Sequence, residues 1–536
     1  MPFDETKQSS GNLHIKNAEV THDMTLENYI VKELPYLPKN GLTGRRKILT
    51  TANEITIDNV REVLEEALAV HSANAREITY LWNYYRGCQD IRGKKKYVRE
   101  KINNKVTINR ANEIVTFKTS FLLNEPIFYV SNGGDKEVSN NVGTLNEFMR
   151  AEDKESKDKE TVDWMHISGV AERFVLTDKM AKVEDGAPFY IYTLDPREAF
   201  VIYSAKIGQK PMAGVILQLD EQKQWFATVY TEDTVYTVTR DSVEAEGHVL
   251  GGIPLIEYVN NMARMGAFEP VLSILNGINQ LESNALDSIE DFVNGFDVFQ
   301  NCDIADGDYA DLSIGGKAVK IKTVTQGMEA KVYRVVSELS QSGVQQRVDD
   351  MTEDYLTICG MPNRNGGSST SDTGQAVIFR DGWSEAESRA KDTEKLFVRS
   401  ERQFLRIVLN ICNAKRDVNL NLELKDIGIN FSRKSLNNLQ SRFQCFMEGI
   451  GSDRVHPLCV FQAFGDIFGD KEAAYQMSMA WRDEQERKQE ETLQAELDRE
   501  RERIAANGNG EPVQASRSMP VSVDSSGNEA DERSEA

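Results

Sequence analysis

Three carboxylates, Asp287, Glu290 and Asp291, stand at helical spacing in the middle of the chain. Carboxylates so placed can hold the divalent ions of a nuclease. No histidine and no further carboxylate motif joins them in sequence, so the competing expectation is a solvated acidic helix face. A second candidate is basic: Tyr84, Tyr85 and Arg86 lead into Arg92, Lys94, Lys95 and Lys96. Cations interleaved with aromatics suit nucleic-acid contact, and they equally suit a solvated helix end. Gly41 and Gly44 precede the basic spot Arg45-Arg46-Lys47 without the GxxxxGK[ST] spacing of a phosphate-binding loop. His456 and Cys459 are too few for a metal site and read as a helix start at Pro457 with a buried thiol. HExxH, paired-cysteine zinc modules and the GxSxG nucleophile turn are absent. The expectation is therefore no catalytic residue, no metal and no cofactor.

The elements around these candidates are mostly helical. Val271, Ile274, Leu275, Ile278, Leu281, Ala285, Ile289, Phe292 and Phe296 share one face of a helix, with the three carboxylates on its other side. A later helix carries Val344, Val348, Met351, Tyr355 and Ile358, and Pro362 stops it. Beyond lies a polar, glycine-rich loop, Met361 to Gly374, with one cation, Arg364, offset by Asp372. The next stripe, Ala386, Ala390, Thr393, Phe397, Phe404, Ile407, Val408 and Ile411, belongs to a helix expected from Gln375 onward, a rod of roughly 50 Å. Asp381-Gly382-Trp383 interrupts it early. Glycine costs a helix about 1 kcal/mol relative to alanine, which makes this a site for a kink.

The chain's 536 residues suffice for several domains and a core without disulfides. Lys and Arg number 63 against 85 Asp and Glu, a net charge of -22. Non-specific DNA affinity comes from neutralising phosphates, so such a chain does not coat DNA and would meet it loosely or at a small site. The six cysteines are scattered, as free thiols in a reducing compartment would be. No signal-peptide pattern opens the chain, and no apolar run approaches the roughly 20 residues that span a bilayer. The expectation is a soluble, intracellular protein with no membrane partner.

In order, residues 1–50 are polar and irregular, and a helix from Asp58 carries Val60, Val63, Leu64, Ala67 and Leu68. A second helical stretch runs from Ile78 to Tyr85. Residues 151–160 mix charges densely, as a solvated helix would, and helical spacing extends from Met165 to Phe174. Alternation then predicts strands at Phe189–Tyr192, Phe200–Tyr203, Gly214–Leu219, Trp225–Tyr230 and Val235–Val238, one antiparallel sheet. Short strands at Ala318–Lys322 and Lys331–Val336 form a small β module. Leu420–Phe431 alternates like a strand, and three short helices follow at Ser435–Met447, Pro457–Phe468 and Lys471–Trp481. Asp483–Ala506 is an alternating-charge helix, and the remainder is compositionally disordered.

Several of these strings resemble one family. Tyr84-Tyr85-x-Gly87-x-Gln89-x-Ile91, then Asn103-Asn104-Lys105 to Asn109, Ile114-Val115 and Phe121-Leu122 to Pro126 are similar to the portal proteins of tailed bacteriophages, of the kind found in long-tailed phages of Gram-positive hosts. Asn124 stands where that pattern commonly has glycine. Asp195–Phe200 with Tyr203, Tyr230–Val235, Gly252–Asn261 and Gly266–Glu269 continue the match in order.

The resemblance implies an α+β, mainly helical portal fold that assembles into a ring. Its parts would be an N-terminal polar segment (1–51), an α/β wing (52–265), a first stem helix (266–297), a clip (298–336), a second stem helix (337–361), a tunnel loop (362–375), a long kinked wing helix (376–411), a helical crown (412–482), and a charged helix with tail (483–536). Asn363, Arg364, Asn365, Gly366, Gly367, Ser368, Ser369 and Thr370 would form the DNA-channel loop. Lys317, Lys320, Lys322, Lys331, Tyr333 and Arg334 would be the clip's partner contacts. The implied partners are eleven further copies, duplex DNA passing without sequence preference, terminase, major capsid and scaffolding proteins, and a head-completion or adaptor protein. The place would be the portal vertex of the virion, reached from host cytoplasm. Two other classes stay open on the residues alone: a metal-dependent DNA-processing enzyme using the acidic cluster, and a cytosolic helical scaffold.

Overall fold

The computed structural model describes residues 42–506 except 98–99, 133–135, 178–185, 294–295, 304–321, 325–326, 328, 330, 336–340, 364–381, 416–417, 419, 432–438, 453 and 465–470. The polar beginning of the chain ends in a short strand, β1 (Ile48–Thr50). The basic triplet before it is not a surface spot throughout. Arg45 is buried, 2.7 Å from Glu269 and 3.1 Å from Glu77, and only Arg46 of the two arginines reaches solvent.

Helix α1 (Val60–Tyr85) has 26 residues, about 39 Å at 1.5 Å per residue. That length lets it serve two cores. Val60, Val63, Leu64, Ala67 and Leu68 pack on a sheet, while Tyr80, Leu81 and Tyr84 enter a helical core. The two helical stretches expected from the sequence are thus one. Left-handed Gly87, at φ +86°, ends it. Cys88 N–H donates to Asn83 C=O and Gly87 N–H to Tyr84 C=O, a Schellman cap that satisfies the orphan carbonyls.

Helix α2 (Arg110–Leu122) begins on Asn109, whose side chain accepts the Asn112 N–H. Strand β2 (Phe128–Ser131), α3 (Lys136–Ala151) and α4 (Lys154–Ser168) follow. Helical spacing was expected to run to Phe174, yet α4 stops at Ser168. Gly169 takes φ +86°, and a Cβ there would lie 2.2 Å from the Arg264 carbonyl, so only glycine fits the turn. Val170 to Leu176 then forms β3, as β-branched residues favour.

Strands β4 (Tyr190–Leu194), β5 (Ala199–Ser204), β6 (Pro211–Leu219), β7 (Trp225–Tyr230), β8 (Thr234–Val238), β9 (Val243–Gly247) and β10 (Leu255–Val259) make two sheets where one was expected. Their orders are β1-β5-β6-β7-β8-β9 and β10-β3-β4. The pairing of β4 with β3, which reads as helix in sequence, draws it away from the larger sheet. Phe174, Val201, Ile216 and Leu255 fill the space between the sheets. Gly214 permits that approach, since a Cβ there would sit 2.5 Å from Leu255.

Helix α5 (Leu272–Val293) precedes β11 (Phe296–Gln300), β12 (Cys302–Asp303), β13 (Lys322–Thr323) and β14 (Lys331–Val335). Phe296, read as the last turn of the helix, opens β11 instead and pairs with Val335. Helix α6 (Gln341–Cys359) returns against α5. Val271, Leu275, Ile278, Val348, Tyr355, Leu356 and Cys359 form their shared core, each large side chain contributing about 1.5–3 kcal/mol by burial. Ile358, counted in the apolar stripe, is 45% exposed, and Leu356 and Cys359 take the interior.

Helix α7 (Trp383–Ala414) crosses the base of the smaller sheet, and β15 (Ile427–Asn430) pairs with β2. The core beneath holds the largest correction to the sequence reading. Residues 151–160 were expected to be solvated, but Lys154 and Asp158 are buried with Arg173 and Glu401. Arg173 lies 2.6 Å from Asp158 and 3.2 Å from Glu401, and Lys154 lies 2.6 Å from Asp158 and 2.9 Å from Glu401. Tyr129 and Tyr258 donate their hydroxyls to Glu401 at 2.7 and 2.6 Å. Five elements, β2, β3, α4, α7 and β10, therefore meet at one neutralised cluster.

Helices α8 (Leu439–Ile450) and α9 (Pro457–Phe464) pack through Phe446 and Phe461. Pro457 starts α9 as expected, but Cys459 is exposed, because Val460 and Phe461 occupy the inner face. Residues 473–536 form a second unit. Its helix α10 (Lys471–Ala506) is one element where a short helix and a charged helix were expected. No glycine or proline divides it, and pairs such as Glu484 and Lys488, 2.7 Å apart, brace it at i,i+4.

Candidate functional site

Of the acidic face of α5 expected to be solvated, Glu290 is exposed but Asp287 is not. Asp287 is buried, with Lys94 at 2.9 Å and Lys96 at 3.4 Å on one oxygen. Its other oxygen accepts the Asn104 N–H at 2.6 Å and the Asn104 amide at 2.9 Å. Glu290 accepts from Asn104 as well. The side chain of Asp291 lies outside the described residues. Burial alone would raise the Asp287 carboxyl, but the hydrogen bonds from Asn104 and Lys94 outweigh it and hold the group below its ordinary value. A carboxylate so fully engaged has no lone pair left for a metal ion. Among the described residues no group of three or more His, Cys, Asp or Glu side chains could hold one.

Asp287 is the last rung of a ladder. Along α5, Asn279 Oδ1 accepts the Ile108 N–H at 2.8 Å, Ser283 Oγ accepts the Val106 N–H at 2.9 Å, and Asp287 accepts that of Asn104. The register has a simple cause. Two residues of extended chain advance about 6.7 Å, and four residues of helix advance about 6 Å. Alternate amides of an extended strap therefore meet every fourth helical side chain. Above the ladder Asn276 accepts the Tyr84 hydroxyl and donates to Asp90, and Asn279 donates to Gln89. Gln89 donates in turn to Asn109, which caps α2. The residues that carried the family resemblance, Tyr84, Gln89, Asn104 and Asn109, thus form one hydrogen-bonded strap. Sequence reasoning missed Asn276, Asn279 and Ser283. Their three- and four-residue spacing opposite the apolar stripe was the available signal.

The loop's two feet are held together. Met361 N–H donates to Leu356 C=O and Gly360 N–H to Thr357 C=O, so a Schellman cap at Gly360, rather than Pro362, ends α6. Arg389 of α7 donates to the Ile358 carbonyl at 2.7 Å. Gly382 precedes α7 at φ +83°, and a Cβ on it would lie 3.7 Å from Pro362 Cα. The left-handed glycine caps the start of α7; the stretch from Gln375 to Asp381, on which the expected kink depends, lies outside the described residues. Trp383 anchors that start against Phe117 and Phe121. Of the expected channel residues, Asn363 is half-buried, while Arg364, Asn365, Gly366, Gly367, Ser368, Ser369 and Thr370 lie outside the described residues.

Under those feet, Phe117, Lys118, Phe121, His166, Gly360 and Arg389 line a recess. Burial, and then the neighbouring Lys118, push His166 down to about 3. It shares a 3.0 Å hydrogen bond with Thr119, as a neutral core histidine should.

In the β module, antiparallel pairing sets Lys331 opposite Gln300, Tyr333 opposite Val298 and Arg334 opposite Asp297. Lys322 pairs with Asp303 in the shorter ladder. Lys331 is exposed, 3.6 Å from Glu329. Lys317 and Lys320 lie outside the described residues. No helix among those described is long and apolar enough to cross a membrane.

Residues 64–489 match the family model described as phage portal protein, SPP1 Gp6-like. No curated protein matches the chain significantly in sequence. Among solved structures, a chain from the neck of an empty GTA particle, computed with C6 symmetry, is 9% identical, with a TM-score of 0.37. The match covers 66% of this chain and 89% of that one.

Proposed function

The chain belongs to the phage portal protein family of the SPP1 Gp6-like kind, and on that membership we propose that it builds a twelve-copy ring at one capsid vertex. Through the axis of that ring a terminase would drive DNA into the head, and the same path would carry it out at infection. Capsid and scaffolding proteins would seat the ring, and a head-completion or adaptor protein would close it. The phage would be a long-tailed one of a Gram-positive host. The observation that carries the reading is the family match over residues 64–489. It is supported by the pairing of α5 with α6 around a small β module, the arrangement expected of two stem helices and a clip.

Residues 52–265 would be the wing, 362–375 the tunnel loop, 376–411 the long wing helix and 412–482 the crown. Heterologous contacts between copies, which close when the rotation per copy closes, would make the ring. The channel chemistry follows from charge. Each neutralised phosphate adds affinity that must be broken at every step, and a chain of net charge -22 keeps the duplex from adhering. Asn363 to Thr370 would touch the passing DNA with Arg364 as their one cation. The clip residues Lys317, Lys320, Lys322, Lys331, Tyr333 and Arg334 would meet terminase and then the adaptor.

Arg364→Ala is expected to leave the ring intact and change the length or retention of packaged DNA. Unchanged packaging and retention would remove the loop from the mechanism. Sedimentation velocity tests the assembly itself: a discrete ring-sized species is expected, alone or with a scaffold. Monomer throughout, at high concentration and with scaffold present, would contradict the reading.

A further inference from the structure

Eight of the chain's 63 lysines and arginines fall within residues 92–110, against the single carboxylate Glu100. In a chain of net charge -22 this is a strong local reversal. The segment is built rather than loose. Ile91 and Ile102 are buried, and the strap after them is hydrogen-bonded to α5 at Asn104, Val106 and Ile108. Lys94 and Lys96 turn inward to Asp287. Arg92, Lys95, Lys101 and Lys105 are left exposed on the outer side, and Lys105 donates to the Arg92 carbonyl at 2.8 Å, drawing the two edges of the loop together. Between them the Tyr97 ring is 90% exposed.

We infer that this loop is a second DNA contact, a small phosphate-binding patch separate from the channel loop. It rests on the portal reading for its ligand, duplex DNA. Four cations on the flanks of a strap hydrogen-bonded to α5 neutralise a polyanion without sequence preference. A protein partner would need apolar surface to bury at the centre of the contact, and among the described residues of the loop Tyr97 is the one exposed large apolar side chain. The chain's net charge of -22 opposes a wider contact with DNA, so binding at this patch stays weak enough to release. Its place is defined by Asp287, six residues before α5 ends, about 9 Å along the helix from the β module.

The test is binding of the full-length protein to a 40-base-pair duplex of arbitrary sequence, followed by fluorescence anisotropy across a salt series. Lys95→Gln/Lys101→Gln/Lys105→Gln is expected to weaken binding at least tenfold at low salt. The slope of log affinity against log salt should flatten by about 2–3, at roughly 0.9 per lost phosphate contact. Lys223→Gln/Lys391→Gln/Lys395→Gln, which removes the same charge at exposed positions elsewhere, should leave both unchanged.

Equal affinity and slope in a folded patch variant would overturn the inference, as would loss of self-association with DNA binding intact. If the variant melts early, acetylation footprinting of the wild type decides. Duplex should protect Lys95 and Lys101, and equal labelling with and without DNA would overturn the inference. Rings with no such protection would leave the portal reading standing; absence of rings would count against that reading whatever the patch binds.

Discussion

Arg173→Met is expected to lower stability by about 3–5 kcal/mol, the range for breaking a buried ion pair by removing one partner. Arg173 donates to Asp158 at 2.6 Å, Thr161 at 3.0 Å, Glu401 at 3.2 Å and Tyr258 at 3.3 Å, with no exposed surface of its own. Methionine keeps much of the volume but leaves two buried carboxylates with Lys154 as their one cation. Because β3, α4 and α7 meet there, the loss falls on the whole core and not on one helix. Urea titration of the two proteins measures it, and a difference under 1 kcal/mol would show that the cluster relaxes or hydrates.

The same cluster fixes a pH dependence. Burial would raise the Glu401 carboxyl, but Lys154, Arg173 and the two tyrosine hydroxyls override it and bring it down to about 2. A carboxyl depressed in the folded state contributes stability that is complete above its unfolded value, about 4.3. That contribution is lost as pH falls from there through about 2. Arg173→Met removes part of the depression, so its acid unfolding should begin at higher pH than in the wild type.

Asp287→Ala should be the second large effect, about 3 kcal/mol. It takes the carboxylate away from Lys94 and Lys96 and leaves the Asn104 N–H without its acceptor. The consequence is local before it is global: the strap from Asn104 to Ile108 loses its end rung on α5. Hydrogen exchange should accelerate at the Asn104 and Val106 amides while the six-stranded sheet stays protected. Asp287→Asn retains an acceptor for the amide but not the charge, and should fall between the two. Wild-type exchange in Asp287→Ala would mean that Asn279 and Ser283 suffice.

These two sites show where sequence reading reaches its limit. The apolar faces of α1, α5, α6 and α7 were legible because burial repeats at helical spacing within one segment. The alternating strands were legible for the same reason. What pairs with a polar residue was not. Lys154 and Asp158 have the composition of a solvated helix, and only Arg173 and Glu401, the latter more than 200 residues away in sequence, make them core. Asp287 looked like a solvated or metal-binding acid because its partners, Lys94 and Asn104, come from a segment read as a basic helix end.

Termini were misplaced where backbone geometry decides. Gly169 and Gly360 take left-handed φ and end α4 and α6, short of the stops expected from helical spacing for the first and from Pro362 for the second, and left-handed Gly382 caps the start of α7. The strings that pointed to the portal family did so before their role was visible. The first of them, from Tyr84 to Asn109, form the strap, which ties the α1 end and the start of α2 to α5.

The most direct measurement is electron microscopy of the purified full-length protein, with scaffold supplied if it remains monomeric. Rings with an axial hole are expected, with a rotational repeat of twelve in the assembled particle. Fields of separate or irregular molecules, with no ring and no axial channel under either condition, would contradict it.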